Sequence, residues 1–204
     1  MGEWMPVLIA IGSNIERERN LPQAIAALWQ QPGIELRAVS PVYESLPVGT
    51  NRDQPLYYNA AALIETRLDA AALKEILLAI ENSQGRIRTA DKFAARTIDL
   101  DIALYGQQIL ELNGRHIPDP DIATFPHVAV PLADLAPTWV HPELGLNLAD
   151  IAGRFSDSCK TMQKIQKFSV INDFLTSVGI GATNAGRISS TNSDIPTLQL
   201  IKGD

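Results

Sequence analysis

The chain has 204 residues, 46% hydrophobic and 20% charged, enough for one globular domain with a sizeable core and an appendage. A net charge of −6 argues against general nucleic-acid binding, which needs a basic surface, and no apolar run is long enough to cross a bilayer. The opening Met1-Gly2-Glu3-Trp4 lacks the basic start and apolar stretch of a secretory leader, and the single Cys159 can form neither an internal disulfide nor a cysteine metal cluster. A cytoplasmic location, with no nucleic-acid or membrane partner, is the expectation.

Residues 7–11 form an apolar run that reads as a buried strand, broken by Gly12-Ser13-Asn14. Asn20 is expected to cap a helix from Leu21, with Leu21, Ile25, Leu28 and Trp29 on one face and a stop at Gln31-Pro32-Gly33. Residues 34–43 read as a second strand, 47–55 as a polar loop and 57–66 as a third strand. Asp69 is expected to cap a second helix that carries Leu73, Ile76, Leu77 and Ile80 and ends near Gly85. After a basic loop, residues 97–105 read as a fourth strand. Gly106-Gln107 then makes a turn from which residues 108–112 pair back as a hairpin. Pro118-Asp119-Pro120 is another loop, and residues 128–135 a short helix or turn.

The order strand, helix, strand, strand, helix, strand predicts a ferredoxin-like split βαβ fold of the α+β class. Its sheet is mostly antiparallel, with helices packed on one face. Residues 1–155 read as one domain and 156–204 as a partly flexible C-terminal extension. Within the extension, residues 160–175 fit an amphipathic helix, 179–193 a flexible Gly, Ser and Asn-rich stretch, and 195–201 a last strand. No motif marks the extension, which is read as an appendage or a contact within a homo-oligomer.

Chemistry concentrates in the fourth strand. Side chains alternate along a strand, so Ile98, Leu100, Ile102 and Leu104 share the face toward the helices. Asp99 and Asp101 share the opposite face, roughly 7 Å apart along the strand. Asp is disfavoured in strands. Two carboxylates side by side call for a cation, and Mg²⁺ is commonly held by one or two carboxylates plus substrate phosphates. The competing reading is a solvated face that happens to carry two acids. The preceding loop holds Arg86, Arg88, Lys92 and Arg96, suited to phosphate oxygens. Taken alone it reads as a solvated basic loop, and its adjacency to the acid pair favours a functional reading. Neither a phosphate-binding G-x-x-x-x-G-K-[ST] loop nor a dinucleotide G-x-G-x-x-G fingerprint occurs. Asn59 can both donate and accept hydrogen bonds, as a heteroaromatic amide edge requires, and Tyr57 shares its strand face, although taken alone this segment reads better as a strand with a core aromatic and a chance Asn.

Together these segments resemble the 6-hydroxymethyl-7,8-dihydropterin pyrophosphokinase family of folate synthesis. The resemblance runs from about Val7 to about Pro137. It is carried by Gly12-Ser13-Asn14 with Asn20-Leu21, by Pro47-Val48-Gly49, and by Gln54-Pro55 with Tyr57 and Asn59. Gly85-Arg86-Ile87-Arg88, the run from Ala95 through Ile102, and Pro131-Leu132-Ala133-Asp134-Leu135-Ala136-Pro137 complete it. The resemblance implies an ATP-dependent diphosphotransferase that uses two Mg²⁺ ions. The hydroxymethyl oxygen of the pterin attacks the β-phosphorus of ATP, and AMP leaves. By the same resemblance, Asp99 and Asp101 hold the metals, and Arg86 and Arg96 act with them in catalysis. Arg88, Lys92 and Arg96 contact the nucleotide. Ser45, Val48, Tyr57, Asn59, Phe93 and His127 line the pterin site. The chain departs from the family pattern at Phe93, often Trp, and at Lys92, often Arg. Asp119 stands where a nucleotide-contacting His is common, Phe125 where a phosphate-contacting Arg is, and His127 where a stacking Phe is. These departures keep open a second reading, a catalytically degenerate or retargeted pterin- or nucleotide-binding homologue.

Overall fold

We describe a computed structural model of the protein, which describes residues 3–49, 54–87, 94–155 and 162–164. Strand β1 (Met5–Ser13) leads into α1 (Arg17–Trp29), then β2 (Ile34–Val39), β3 (Tyr43–Ser45) and β4 (Tyr57–Thr66). Helix α2 (Ala70–Ser83) precedes β5 (Asp99–Tyr105) and a small hairpin of β6 (Leu110–Leu112) and β7 (Arg115–Ile117). Helices α3 (Asp121–Thr124), α4 (Pro126–Leu135) and α5 (Leu148–Gly153) follow, and β8 (Gln163–Lys164) ends the described chain.

The sheet runs β5-β1-β4, and the far side of β4 pairs with β2 along one half and β3 along the other; β8 adds to β3. β1, β4 and β5 pair antiparallel. Counting β2 and β3 as one interrupted strand, this is the ferredoxin-like order expected from the sequence. The second strand is not continuous because it breaks at Ser40-Pro41-Val42. Pro41 has no N–H to give the ladder, and the Ser40 hydroxyl accepts the Ala61 N–H there at 2.8 Å.

α1 and α2 lie on one sheet face, where Val7, Ile9, Ile11, Ala60, Ile64, Leu100 and Ile102 meet Leu21, Leu28, Leu73 and Leu77. The opposite face, expected to be bare of helices, is covered over part of its area. There Leu8, Ala61, Leu63 and Leu104 pack with Ile122, Ala129, Leu132, Leu148 and Ile151 of α3, α4 and α5. The expectation of helices on one face therefore holds for α1 and α2 only. Leu104 is also reassigned. The β1–β5 register runs Leu8↔Leu104 and Ile9↔Ile102, skipping Ala103. This bulge turns Leu104 onto the second face, where strict alternation had placed it with Leu100.

Local boundaries follow the chemistry of the chain ends. Asp69 caps α2 as expected, its carboxylate accepting the Ala72 N–H at 2.8 Å. α1 starts at Arg17 rather than Leu21, because the Asn20 N–H already bonds the Glu16 carbonyl at 2.9 Å. The Asn20 side chain instead donates back to the Ile15 carbonyl at 2.7 Å. Residues 108–112 do not fold back on β5: Leu110–Leu112 pairs with Arg115–Ile117 as a separate ribbon. In the extension, Gln163–Lys164 is a strand against Tyr43–Glu44, so the helix expected over 160–175 does not hold there. The remainder of that segment, the 179–193 stretch and the 195–201 strand lie outside the described residues.

Candidate active site

β1, β4 and β5 carry their odd and even positions to opposite faces, and the alternation decides where the polar groups go. Val7, Ile9, Ile11, Ala60, Leu100 and Ile102 point to α1 and α2. Gly12, Tyr57, Asn59, Asp99 and Asp101 therefore fall on the other face, toward the sheet end away from the Met5 end of β1. Gly12 pairs across to Asn59 on one side and Asp99 on the other. A Cβ at Gly12 would stand 3.8 Å from Asn59 Oδ1, 3.9 Å from Tyr57 Cδ1 and 4.0 Å from Asp99 Cβ. The glycine thus floors the space between the amide, the phenol ring and the acid. Sequence reasoning ended β1 at this glycine; the strand continues through Ser13.

The buried Asn59 amide is oriented by its neighbours. Its Nδ2 donates to the Ser45 hydroxyl at 2.9 Å and to the Tyr43 carbonyl at 3.4 Å. The register Ser45↔Tyr57 puts Ser45 and Tyr57 side by side. Burial pushes the Tyr57 phenol up, partly offset by Arg96. Val48 lies in the loop after β3.

The acid pair is ringed by cations. Asp99 pairs through one oxygen with Arg86 and through the other with Arg96. Arg86 is nearly buried and also pairs with the fully buried Glu81 at 2.6 Å. Burial holds Glu81 above the usual carboxylate range, although Arg86 and the Leu100 N–H, at 2.8 Å, stabilise its charge. Burial alone would lower Arg96, but the Asp99 carboxylate outweighs it and raises its pKa. Asp101 meets Lys74 at 2.9 Å and Arg115 at 2.6 Å, both on Oδ1. Burial would push Asp101 up, and the two cations outweigh it and hold the carboxylate below the usual range. A cavity of about 110 Å³ opens beside this group, lined by Lys74, Asp101, Arg115, Ile117 and Asp119 among others. Burial and the nearby Asp101 push Asp119 up to about 6. A larger depression of about 470 Å³ lies beside Asn14, Arg17 and Pro55. The acid pair does not line it, and of the pair Asp101 lines the smaller cavity.

Asn14 joins the loops that flank the site. Its Oδ1 accepts the Arg96 N–H at 2.8 Å, and its amide donates to Gln54 and to the Pro55 carbonyl at 3.3 Å each. The Ser13 hydroxyl donates to the Thr97 carbonyl at 2.5 Å. The turn expected at Gly12-Ser13-Asn14 is thus a clasp between the basic loop and the loop before β4. His127 sits in the first turn of α4 with its ring centroid 5.2 Å from that of Phe125. Burial lowers its pKa to about 4. Its ring packs against that of Phe125 at a tilt of 31°. Arg88, Lys92 and Phe93 lie outside the described residues.

Glu81, Lys74 and Arg115 belong to this cluster and were not singled out from the sequence, whereas Asn14 was named only within the Gly12-Ser13-Asn14 block. Two of them carried a usable signal. Lys74 and Glu81 fall on the apolar stripe of α2 with Leu73, Leu77 and Ile80, and a charge on such a stripe calls for a buried partner. Arg115 carried none, since only the hairpin brings it to Asp101.

Metal-binding chemistry can be tested on the donor set. Among the described residues no group of three or more His, Cys, Asp or Glu side chains could hold an ion alone. Two carboxylates on one strand face suit a hard cation that takes its remaining ligands from phosphates and water, the habit of Mg²⁺.

Fold and site together define a ferredoxin-like α+β protein with an acid pair set among arginines at one end of its sheet. Residues 8–137 match the family model of 7,8-dihydro-6-hydroxymethylpterin-pyrophosphokinase (HPPK), and this chain belongs to that family. It is 42% identical over 138 residues to the 2-amino-4-hydroxy-6-hydroxymethyldihydropteridine pyrophosphokinase of Pseudomonas aeruginosa, covering 67% of this chain and 84% of that one. It is 38% identical over 150 residues to the enzyme of the same name from Haemophilus influenzae, covering 73% and 92%. Its fold is similar to the Plasmodium falciparum HPPK-DHPS solved with pterin and p-hydroxybenzoate, with a TM-score of 0.63 at 13% identity. That likeness covers 81% of this chain and 47% of the solved one, so the chain spans about half of that protein. Among the described residues no helix is long and apolar enough to cross a membrane.

Proposed function

We propose that this protein transfers a pyrophosphoryl group from ATP to the hydroxymethyl oxygen of 6-hydroxymethyl-7,8-dihydropterin and releases AMP, as an ATP-dependent step of folate synthesis. The observation that carries the reading is the meeting of Asn59 and Tyr57 with Asp99 across Gly12. An amide suited to a heterocycle edge and an acid suited to a phosphate-bound cation share one floor. In the reaction the hydroxymethyl oxygen forms a bond to the β-phosphorus. The bond from that phosphorus to the α,β-bridging oxygen breaks, AMP carries the electron pair away, and the hydroxyl proton passes to solvent.

The chain's own residues position the reactants and meet the charge. Asn59, held by Ser45, offers its Oδ1 to the pterin edge, Tyr57 walls the pocket, and the backbone at Val48 closes it. Arg86 and Arg96, already aimed at Asp99, neutralise phosphate charge through their planar forks. Arg115 brings a further cation to Asp101. Asp99 and Asp101 would hold Mg²⁺, two ions by the family resemblance, which supplies Lewis-acid polarisation of the phosphoryl oxygens. By the family resemblance, Arg88 and Lys92 would contact the nucleotide, and Phe93 and His127 would line the pterin site. The lone cysteine supports a cytoplasmic setting.

The test is AMP formation from ATP and Mg²⁺ with and without 6-hydroxymethyl-7,8-dihydropterin. Pterin-dependent AMP release is expected, and it should fall about 10²–10⁴-fold in Asp99→Asn and in Asp101→Asn. Saturable binding of ATP or pterin with no AMP would replace this reading with the binding-only one. Normal turnover in Asp99→Asn would remove the metal assignment.

A further inference from the structure

Lys74 is 8% exposed and stands on the apolar stripe of α2, where an aliphatic side chain would satisfy the packing. Burying an ammonium there costs several kcal/mol unless it is paired. Its partners are two. The Nζ donates to the Leu100 carbonyl on the free edge of β5 at 3.0 Å and to Asp101 Oδ1 at 2.9 Å. The α2 side chain thus reaches round the edge of the sheet to the face that carries the acid pair. Arg115 lands on the same Oδ1 at 2.6 Å. The two cations differ in freedom: the Arg115 side chain is 50% exposed on a short hairpin, whereas the Lys74 side chain is 11% exposed and tied to a backbone carbonyl. Arg115 is thus the freer of the two cations, and Lys74 the more firmly held.

We propose that Lys74 is the resident counter-cation of Asp101, a positioning residue that keeps free divalent ions off the acid pair and makes metal loading depend on the nucleotide's phosphates. The inference rests on the metal reading given above. A divalent ion approaching the protein alone meets a carboxylate that is already neutralised, with a fixed positive charge beside it. A triphosphate adds negative charge on the far side of the ion and supplies further hard oxygens, so the ion binds with the nucleotide and not before it. Asp101 is held ready by the same contact, because Lys74 occupies only Oδ1.

The experiment is Mn²⁺ titration of the full chain, followed by loss of the free aqua-ion signal in electron paramagnetic resonance. It is run on the protein alone and with α,β-methylene-ATP, in wild type, Lys74→Gln, Lys74→Met and Lys74→Arg. Gln keeps a donor for the Leu100 carbonyl without the charge, and thermal melts show which variants fold. In the absence of nucleotide, Gln and Met should bind Mn²⁺ about tenfold or more tighter than wild type. The factor by which the analogue tightens Mn²⁺ should shrink correspondingly, and Arg should behave as wild type. Unchanged or weaker Mn²⁺ binding in folded Lys74→Gln would overturn the proposal. Asp101→Asn separates the two layers of the argument. If it binds Mn²⁺ with the analogue as wild type does, the metal reading fails and the lysine's role fails with it. If it loses Mn²⁺ while the lysine variants bind as wild type does, only the role of Lys74 is lost.

Discussion

His127 shows how one side chain's surroundings reach the stability of the whole. Burial against Phe125 lowers its pKa to about 4, from 6.5 in an unfolded chain. The unfolded state therefore takes up a proton as pH falls through 6.5, while the folded state resists until about 4. Stability from this group is complete above pH 6.5 and is lost as pH falls through about 4. His127→Phe should remove that dependence. Urea unfolding at pH 7 and pH 4.5 should show wild type losing about 2 kcal/mol more than the variant over that interval. Equal losses would mean that the ring is solvated. Glu81 makes a different case at the same scale. Its carboxylate accepts the Leu100 N–H and pairs with Arg86, all within a buried site. Glu81→Ala would leave Arg86 with Asp99 as its remaining carboxylate and the Leu100 edge N–H unpaired, at a cost of about 1–3 kcal/mol in denaturant unfolding.

At the scale of the element, α2 is more than a cover for the sheet. It fastens the free edge of β5 at one residue, with Glu81 on the Leu100 N–H and Lys74 on the Leu100 carbonyl. An edge strand left open is a template for unwanted pairing, and a covering helix removes the hazard. The same two side chains reach on to Arg86 and Asp101, so the registration of α2 on β5 sets the geometry of the acid pair. Loosening the helix at its start should act mildly on both. Asp69→Ala removes the cap on the Ala72 N–H and should cost about 1 kcal/mol in urea unfolding. Turnover per folded molecule should be nearly unchanged, because Lys74 and Glu81 lie beyond the first turn. A large fall in turnover would instead mean that the cap sets the helix's position.

Across the whole molecule the sheet is packed on both faces, with one core around Leu73 and Leu77 and another around Leu104 and Leu132. Both cores share the strands β1, β4 and β5, so they cannot unfold separately without breaking the sheet. Leu73→Ala and Leu132→Ala should each lower the stability of one common transition by about 2–5 kcal/mol. Coincident near- and far-ultraviolet dichroism would check this, and two separated transitions would refute it. The apolar packing of the second face stops where Gly12, Asn59, Asp99 and Asp101 begin. The site is the part of that face that α4 and α5 leave uncovered.

The sequence by itself determined most of the local frame. β4, the Asp69 cap of α2 and the placing of Asp99 and Asp101 on one strand face follow from alternation, helix periodicity and capping, which act over a few residues. The ordered blocks from Gly12 to Pro137 also carried the family resemblance, and with it Ser45, Tyr57, Asn59, Arg86 and Arg96. Only the tertiary structure decided the rest. The bulge at Ala103 turns Leu104 to the second core, because register is set by the partner strand and is silent in one strand's pattern. α3, α4 and α5 cover a face that the split βαβ pattern leaves free. Lys74 and Arg115 come to Asp101 from a helix and a hairpin on either side of β5 in the chain, since ion pairs depend on distance in space and not on separation in sequence. The acid pair was legible as chemistry, and its neutralisation by the protein's own cations was not.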